Sequence, residues 1–299
     1  MKISAIIVTY NPDFSLLRNC VASLLPQVDS LVVVNNGTAP LSAVDLSFGA
    51  DESEQSKLHI IELGKNYGIA YAQNRGIEYA FSKGADFVLF SDQDTVYPSD
   101  FVEKSLDCFE RHKSEKVAAV VPLFYNENKK QYAEISISKT RVVSAKIGNE
   151  YEVSHAISSG TVAKAQVLKD VGMMNERLFI DWVDTEWCWR TAKFGYKIIQ
   201  DTKIVIHHSM GENFKSVFGK KIVVYSDFRN FFFFRNGTWL LFHSHLFLAR
   251  EWFGFANFML IKSILFFMTS GFSVKHIFLF LRAVLKGMTN KFSLEEVIK

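Results

Sequence analysis

Residues 3–13, ISAIIVTYNPD, set the fold class of this 299-residue chain. The apolar run at 3–9 is rich in β-branched residues and ends in polar side chains just before Asp13, a residue type that often caps a helix. A buried strand followed at once by a helix is typical of βαβ proteins with parallel sheets. Three further apolar runs end in the same way: 31–36 (LVVVNN), 58–63 (LHIIEL) and 86–91 (DFVLFS).

Helical patterns separate these predicted strands. They cover 13–25, 68–83 and 98–112. Further along the chain we predict irregular strands over 117–160, helices over 164–171 and 183–195, and a strand over 197–207. Alternating strands and helices predict an α/β protein with right-handed crossovers, in which ligands bind beyond the carboxyl ends of the strands.

Four polar clusters follow the predicted strands and should therefore share one edge of the sheet. They are Thr9-Tyr10-Asn11, Asn35-Asn36-Gly37, Lys65-Asn66-Tyr67-Gly68 and Asp92-Gln93-Asp94. In the last cluster, two carboxylates flank Gln93 and can offer oxygens to one hard divalent cation and to a sugar hydroxyl. The alternative for this cluster is a solvated loop or a helix N-cap.

A second candidate cluster lies at 179–190, FIDWVDTEWCWR, where three carboxylates are interleaved with three tryptophans. Crowding with apolar rings raises carboxylate pKa values, and flat rings offer platforms for a sugar, as a general base acting on a carbohydrate hydroxyl requires. The alternative is an amphipathic helix in which Trp187 and Trp189 pack inward while Asp184 and Glu186 lie in its first turn. His207 and His208 end the predicted strand at 197–207, so at most one of them faces this acidic site.

Composition excludes several other classes of protein. Hydrophobic residues make up 48% of the chain and charged residues 22%, which is incompatible with a disordered chain. Three widely spaced cysteines indicate neither a disulfide framework nor a zinc knuckle. Neither a dinucleotide-binding glycine pattern nor a P-loop is present. The apolar run near Met1 is too short for a signal peptide, so we expect a cytoplasmic protein.

Motifs of family 2 inverting glycosyltransferases recur along this chain in the family's order. They are VTYN (8–11), VVVNNGT (32–38), NYGIAYAQNRG (66–76), SDQD (91–94), SSG (158–160), FIDWVDTEW (179–187) with Arg190, HSMG (208–211) and RNFFFFRN (229–236). The chain most resembles the bacterial rhamnosyltransferases of that family. The resemblance spans residues 3–236 and implies a GT-A fold, which is a mixed sheet flanked by helices, together with a nucleotide-sugar donor, Mg²⁺ or Mn²⁺, and inversion at the anomeric carbon.

The resemblance also implies roles for individual residues. Asp184 would be the catalytic base, and Asp94 and His208 would bind the metal. Donor or acceptor would contact Thr9, Tyr10, Asn11, Asn35, Asn36, Asn66, Gly68, Asn74, Asp92, Gln93, Trp182, Glu186 and Arg190. One departure is visible, because the family usually has an aspartate where Asn35 stands. A neutral amide there should bind a nucleotide base more weakly than a carboxylate would.

The C-terminal part of the chain differs in composition from the rest. From Lys203 onwards there are 13 Lys and Arg against 5 Asp and Glu, and 18 of the 28 phenylalanines. We therefore predict a catalytic domain at 1–225 and a helical, aromatic, basic region at 226–299. Its charge-free stretches are too short to span a bilayer, which makes a simple transmembrane helix an unfavoured prediction.

A membrane-interface role is the hypothesis that fits this composition. Lys275, Arg282 and Lys286 share one face of a predicted helix, opposite apolar residues such as Phe278 and Leu281. Cations would meet anionic head groups and the aromatic rings would enter the acyl boundary. The alternative is a helix packed on the catalytic domain or in a homodimer.

The function expected from the resemblance is transfer of L-rhamnose from dTDP-L-rhamnose to a lipid-linked glycan acceptor in bacterial cell-surface polysaccharide synthesis. Such a protein would work at the cytoplasmic face of the plasma membrane, without a nucleic-acid partner. Two alternatives stay open at this point. One is a transferase that uses a UDP-linked galactofuranose or hexose, and the other is a non-catalytic nucleotide-sugar-binding scaffold.

Overall fold

The computed structural model describes residues 1–42, 44–46, 52–208, 213–217, 220–290 and 292. The side chains of residues 44, 52–53, 208, 213–217 and 220–222 lie outside that description.

The strands follow the predicted pattern in the first part of the chain. In order they are β1 (Ile3–Thr9), β2 (Ser30–Asn35), β3 (Leu58–Glu62), β4 (Phe87–Asp92), β5 (Val117–Asn126), β6 (Gln131–Tyr132), β7 (Ile135–Ser138), β8 (Arg141–Val143), β9 (Glu150–Val153), β10 (Val162–Lys164), β11 (Lys197–His208), β12 (Asn213–Val217) and β13 (Lys220–Val224). The strands β1–β4 are almost completely buried except for β3, which lies at a sheet edge.

Helices lie between and after these strands. They are α1 (Phe14–Leu24), α2 (Glu52–Gln55), α3 (Ile69–Ser82), α4 (Phe101–Arg111), α5 (Ala165–Val171), α6 (Val183–Lys193), α7 (Asp227–His243), α8 (Ala249–Ser270) and α9 (Val274–Thr289). Asp13 caps α1 as predicted, because its carboxylate accepts from the backbone N–H groups of Ser15 and Leu16.

Within the described residues, the main sheet has the order β3-β2-β1-β4-β10-β5-β11-β9, and β6 pairs with β5. The strands β1 to β4 are parallel, whereas β10 runs antiparallel between β4 and β5, and β9 is antiparallel to β11. The predicted fold class, a mixed α/β sheet flanked by helices, is confirmed. The insertion of antiparallel β10 places the turn at 158–160 beside the carboxyl end of β4.

The C-terminal helices pack onto the catalytic part through one continuous core. Buried side chains of α7 and α8, including Phe234 and Phe255, belong to the same apolar cluster as Trp187 of α6 and Val88 of β4. Between them the C-terminal helices pack chiefly as α7 against α9 and α7 against α8. The boundary at 225/226 remains a prediction, but α7 clearly contributes to the core of the catalytic part.

The helix α8 changes the expectation about membrane-spanning length. Its 22 residues have a mean hydropathy of 1.4 over an 18-residue window of which 22% is buried, so it is long and apolar enough to cross a membrane by length and composition. The charge-free stretches of the sequence predicted no spanning helix because a few charged residues interrupt the otherwise apolar α8. By its length and composition, α8 therefore does not exclude a spanning helix, contrary to the expectation from charge-free stretches.

Candidate active site

A cleft of ≈ 840 Å³ lies at the carboxyl ends of the strands, between the sheet and the first turns of α7. Three residues predicted from the sequence line it, namely Asp92, Trp182 and Asp184. Asp92 ends β4, Asp184 lies in the first turn of α6, and residues 223–226 with Arg229 also line the cleft. The structure thus brings the two candidate carboxylate clusters into one cavity, where they were separated by about ninety residues in the sequence.

The turn at 158–160 contacts the carboxylate of Asp184 and the backbone of Asp92. The backbone N–H of Ser158 donates to Asp184 Oδ2 at 3.1 Å, while the backbone N–H of Asp92 donates to Ser159 Oγ at 3.2 Å. A hydrogen bond from the N–H of Gly160 to the carbonyl of Phe90, at 2.7 Å, anchors the turn to β4. Adjacent residues of one tight turn therefore determine where both acidic groups lie.

The surroundings of Asp184 shift its pKa. Desolvation raises the pKa of this carboxyl group, although backbone N–H groups of Thr185 and Ser158 oppose the shift by donating to it. Nearby Asp181 also has a raised pKa because it is buried, and Arg229 opposes that shift through an ion pair with an Nε–Oδ1 distance of 3.0 Å. A partly buried carboxylate with a raised pKa in a cleft is the chemistry of a general base.

The segment that precedes α6 has an unusual backbone. Phe179, Asp181 and Trp182 all have positive φ angles, of 62°, 62° and 67°, which are uncommon for residues other than glycine. Because these residues immediately precede the helix, their conformation sets the direction in which Asp184 enters the cleft. Contacts from other parts of the protein must therefore stabilise the backbone of residues 179–182.

Helix α7 provides that stabilisation through Arg235 and Asn236. Asn236 Nδ2 donates to the carbonyls of Leu178, Ile180 and Asp181 at 2.7, 2.8 and 3.0 Å. Arg235 is buried, and its guanidinium donates to the carbonyls of residues 177 and 178. Burial lowers the pKa of Arg235 to about 9, which still leaves it charged at neutral pH.

Hydrogen bonds join the predicted residues at the ends of β1 and β2 into one group, called here the shelf, which comprises Thr9, Asn35 and Gly37 with Glu62. Asn35 Nδ2 donates to Glu62 Oε2 at 2.7 Å, and Asn35 Oδ1 accepts from the N–H of Gly37 at 3.1 Å and the hydroxyl of Thr9 at 3.4 Å. An aspartate at position 35 would place two carboxylates in contact at Glu62. The family departure at Asn35 therefore has a local physical reason, since its amide donates where an aspartate would repel.

The neighbouring predicted residues are also linked to one another. Asn36 Nδ2 donates to Asn66 Oδ1 at 3.0 Å, and the same oxygen accepts from the N–H of Gly68 at 2.9 Å. Gly68 has φ of +90°, and a Cβ there would lie 2.7 Å from the ring of Phe179. This contact seats the 66–68 loop directly against the strained segment before α6.

Tyr10, Asn11, Gln93 and Asp94 lie near the outer edge of this shelf. Gln93 Oε1 accepts from the N–H of Tyr10 at 2.8 Å, which joins the loop after β4 to the end of β1. The ring of Tyr10 is 52% exposed, so it remains accessible for stacking, and Asn11 and Asp94 are exposed as well. His208 ends β11, but its side chain lies outside the described residues, so its predicted role stays a prediction.

Three predicted substrate-binding residues have structural partners instead of facing the cleft. Glu186 is 4% exposed and forms a bidentate ion pair with Arg190, with both N–O distances at 2.9 Å. Arg190 also donates to the carbonyls of residues 171–173. Asn74 is buried and exchanges hydrogen bonds with the backbone of Met174. These contacts favour structural roles for all three, because their polar atoms are already satisfied.

Arg229 and Gln73 are among the cleft residues to which the sequence analysis gave no role. Arg229 was part of the quoted RNFFFFRN motif but received no role, and its guanidinium lies 4.5 Å from the ring centre of Tyr225 while it pairs with Asp181. Gln73 is 4% exposed and lines the cleft, and its Oε1 has no hydrogen-bond partner among the described residues. A buried amide oxygen without a partner at a cavity wall indicates a ligand or water contact. The adjacent Asn74, to which the family resemblance assigned a donor contact, bonds the backbone of Met174 instead.

The described residues bring together one group of three metal-ligand side chains, and it lies away from the cleft. Cys108, His112 and Glu150 have ligand atoms within 4.8 Å of one another. Both nitrogens of His112 already contact carboxylates, those of Glu115 and Glu150, at 2.6 and 2.7 Å, and Arg111 also pairs with Glu150. A neighbouring cation disfavours a metal here, so we interpret this group as an ion-pair network.

Comparison with known proteins agrees with this geometry. The model of "Glycosyl transferase family 2" matches residues 4–172. The dTDP-rhamnosyl transferase RfbF of Shigella flexneri is 35% identical over 252 residues, which cover 82% of this chain and 81% of that protein. The chain belongs to glycosyl transferase family 2 and is a nucleotide-sugar glycosyltransferase.

Two solved structures share the fold at low sequence identity. Residues 1–349 of S. aureus TarS align with a TM-score of 0.61 and 15% identity, covering 99% of this chain and 82% of that one. GalNAc-T7, crystallised with UDP, GalNAc and Mn²⁺, aligns with a TM-score of 0.56 and 13% identity, covering 73% of this chain and 44% of that one. The recognition of the family from its motifs is confirmed.

We expect Asp184→Asn to reduce transfer by about 100-fold or more while donor binding stays near the wild-type value. The pKa of Asp184 is raised in the folded state, so this carboxyl group favours folding below its unfolded pKa and opposes it once pH rises through the folded pKa. The variant should therefore be more stable than wild type at pH 8, and the difference should vanish near pH 3. Chemical denaturation at both pH values and initial rates measure these effects.

Glu186→Gln is the matched control for that substitution. It breaks a buried ion pair with Arg190 and should lower stability at neutral pH, in contrast to Asp184→Asn. If Glu186→Gln lost transfer at full stability while Asp184→Asn remained active, the base would be Glu186.

We also expect Asn236→Ala to weaken both the fold and the reaction. The partly buried carbonyls of Ile180 and Asp181 would lose this donor, whereas that of Leu178 keeps Arg235, so unfolding should become easier by about 2 kcal/mol. The strained segment would relax and displace Asp184, and kcat should fall by ~10-fold or more because catalysis depends on placement within about 1 Å. Denaturation and steady-state kinetics, with the exposed Asn257→Ala as control, measure the effect. Unchanged kcat in a folded Asn236→Ala protein would contradict the stabilising role.

Proposed function

We propose that this glycosyltransferase transfers L-rhamnose from dTDP-L-rhamnose, with inversion, to a lipid-linked glycan acceptor in bacterial cell-surface polysaccharide synthesis. The observation that carries this proposal is the single cleft in which Asp184 and Asp92 are held by one turn. The dTDP-rhamnosyl transferase similar to this chain over most of its length supports the choice of donor. A UDP-linked sugar donor is the alternative that the experiment below separates.

Asp184 carries out proton transfer in the proposed reaction. Its carboxylate takes the proton of the acceptor hydroxyl as that oxygen forms a bond to the anomeric carbon, and the bond from that carbon to the diphosphate breaks on the opposite face. A raised pKa makes this carboxylate a stronger base than an exposed aspartate. The charge of Arg229 acts in the opposite direction and favours the ionised form of Asp184. The leaving group is the nucleoside diphosphate.

The donor set at the end of β4 fits a hard divalent cation. Asp92 and Asp94 supply carboxylate oxygens there, and Mg²⁺ in nucleotide sites is usually held by one or two carboxylates together with substrate phosphates. Among the described residues no third ligand side chain completes a protein-only cage around them. We propose that Asp94 and His208 hold Mg²⁺ or Mn²⁺ with the donor diphosphate, and that Asp92 contacts the sugar or ribose. When bound, the cation would neutralise charge on the leaving diphosphate.

We further propose that the C-terminal helices attach the protein to the inner face of the plasma membrane. On α9 an apolar stripe is exposed, and Phe278, Leu281 and Leu285 are 68, 49 and 59% exposed. The predicted basic face is partly occupied, because Lys275 forms an ion pair with Asp227 at 2.6 Å and Arg282 lies over Phe231. Exposed apolar residues at helical spacing, continued on α8 by Leu260 and others, are typical of a surface that enters lipid.

The donor experiment combines nucleotide specificity with metal dependence. We expect dTDP-L-rhamnose to bind, measured by calorimetry, at least 10-fold more tightly than UDP-galactofuranose or UDP-glucose, and Mn²⁺ to strengthen that binding. Asp94→Ala should abolish the effect of Mn²⁺, whereas the exposed Asp107→Ala on α4 should behave as wild type. Tighter binding of a UDP-sugar would reverse the donor assignment, and metal dependence in Asp94→Ala would overturn the ligand assignment. Binding of every donor without any transfer would indicate a non-catalytic scaffold.

The membrane experiment replaces apolar residues. We expect the triple variant Phe278→Ser, Leu281→Ser and Leu285→Ser to lose at least 10-fold in binding to liposomes that contain anionic lipid, because each buried apolar side chain contributes about 1.5–3 kcal/mol. The control triple replaces exposed apolar residues of the catalytic part, Val142, Ile147 and Phe194, with Ser. Equal sedimentation of both triples with liposomes would show that α9 is not the lipid-binding surface.

A further inference from the structure

A second cavity, of ≈ 320 Å³, lies among α7, α8 and α9. Aromatic and aliphatic side chains form much of its wall, including Phe233, Phe234, Phe258, Leu265 and Phe266. Its volume falls at the lower end of the range for small-molecule sites, and aromatic walls combined with polar side chains such as Asn230, Lys262 and Ser270 fit an amphiphilic molecule.

This cavity adjoins the candidate active site. Residues 223–225 and Phe233 line both cavities, so the two lie side by side along that wall. Trp182 strengthens that shared wall, because its Nε1 donates to the carbonyl of Phe233 at 3.1 Å. A ligand whose polar end lies at Asp184 would thus meet an apolar path leading away from it.

The cavity also presents one cation that lacks a counter-charge in the described part of the chain. Lys262 lines the cavity, and its ammonium lies 5.4 Å from the ring centre of Phe258, with no carboxylate within ion-pair distance among the described residues. Apolar surroundings lower the pKa of Lys262. The two other charged groups of the cavity, Asp227 and His276, contact each other at 3.3 Å. Lys262 is exposed at the edge of the cavity, so its ammonium is available to pair with an anion there.

We propose that this cavity binds the lipid portion of the acceptor, with an apolar chain among the aromatic side chains and a phosphate ester beside Lys262. The inference rests on the proposed lipid-linked acceptor and adds a place for its lipid. The position of the cavity beside the cleft gives the direction: the sugar end of such a molecule would lie toward Asp184 while its chain lies between α7, α8 and α9. The exposed stripe on α9 is a separate surface, because Phe278, Leu281 and Leu285 do not line the cavity.

The test uses dodecyl phosphate below its micelle concentration, with binding to the full-length protein measured by calorimetry. We expect Leu265→Trp to weaken binding at least 10-fold by filling the cavity, and Lys262→Met to weaken it at least 5-fold while retaining the apolar stem. The adjacent Ile264→Trp, at a position 52% exposed, is the matched control and should bind as wild type. Melting temperatures verify that each variant folds. If Leu265→Trp does not fold, Lys262→Met still tests the proposal.

Ligand controls separate the parts of the proposal. Inorganic phosphate and dodecyl maltoside should each bind at least 10-fold more weakly than dodecyl phosphate, because each lacks either the chain or the anionic group. The α9 triple serine variant should still bind dodecyl phosphate. Equal binding by Leu265→Trp and wild type, equal binding of inorganic phosphate, or loss of binding in the α9 variant would each overturn the inference.

The outcome is distinguishable from failure of the proposed function. Rhamnose transfer without any binding of dodecyl phosphate would contradict the lipid site and leave the activity in place. Binding of dodecyl phosphate in the cavity without transfer from any nucleotide sugar would contradict the activity and leave the lipid site in place.

Discussion

The strained backbone at 179–182 is the constraint on which the active site depends. Three residues there have positive φ angles, and each such conformation costs of order 1 kcal/mol or more unless its surroundings compensate. Compensation comes from Arg235 and Asn236, whose side chains donate to the carbonyls of that segment. The C-terminal helices are therefore part of the catalytic apparatus, because without α7 the segment that directs Asp184 into the cleft would lose its partners.

The same dependence explains why two distant motifs occur together. RNFFFFRN supplies Arg229 to Asp181 at one end and the Arg235-Asn236 pair at the other, so a single helix controls both the charge beside the base and the backbone before it. From the acidic side, the 158–160 turn couples Asp184 to Asp92 through adjacent residues. A small displacement of either α7 or the turn would change the distance between base and donor, which proximity effects penalise strongly.

Local signals in the sequence were sufficient for the fold and for part of the site. Asp13 before an apolar helical pattern gave α1, and the polar residue at the end of each strand placed Asp92 at the correct edge. Long-range partners could not be predicted in this way. Glu186 lies two residues after Asp184 in the acidic cluster, yet it pairs with Arg190 one turn later. Asn35 departs from the family pattern, and its amide donates a hydrogen bond to Glu62, 27 residues away. Spacing identifies which residues share an edge of the sheet, but it does not show whose polar groups already have hydrogen-bond or ion-pair partners.

The apolar residues of the C-terminal helices fall into two groups, one buried in the core and one exposed on the surface. Phe234 and Phe266 pack in the core and line the inner cavity, whereas Phe278 and Leu281 face outward on α9. Composition alone could not separate the buried phenylalanines from those that face outward. Since a side chain that lines an internal cavity cannot also enter a bilayer, an acceptor chain would have to pass from lipid into the protein to reach the cleft. The shared wall at Phe233 is where that path meets the base, and it therefore relates the placement of Asp184 to how the acceptor enters.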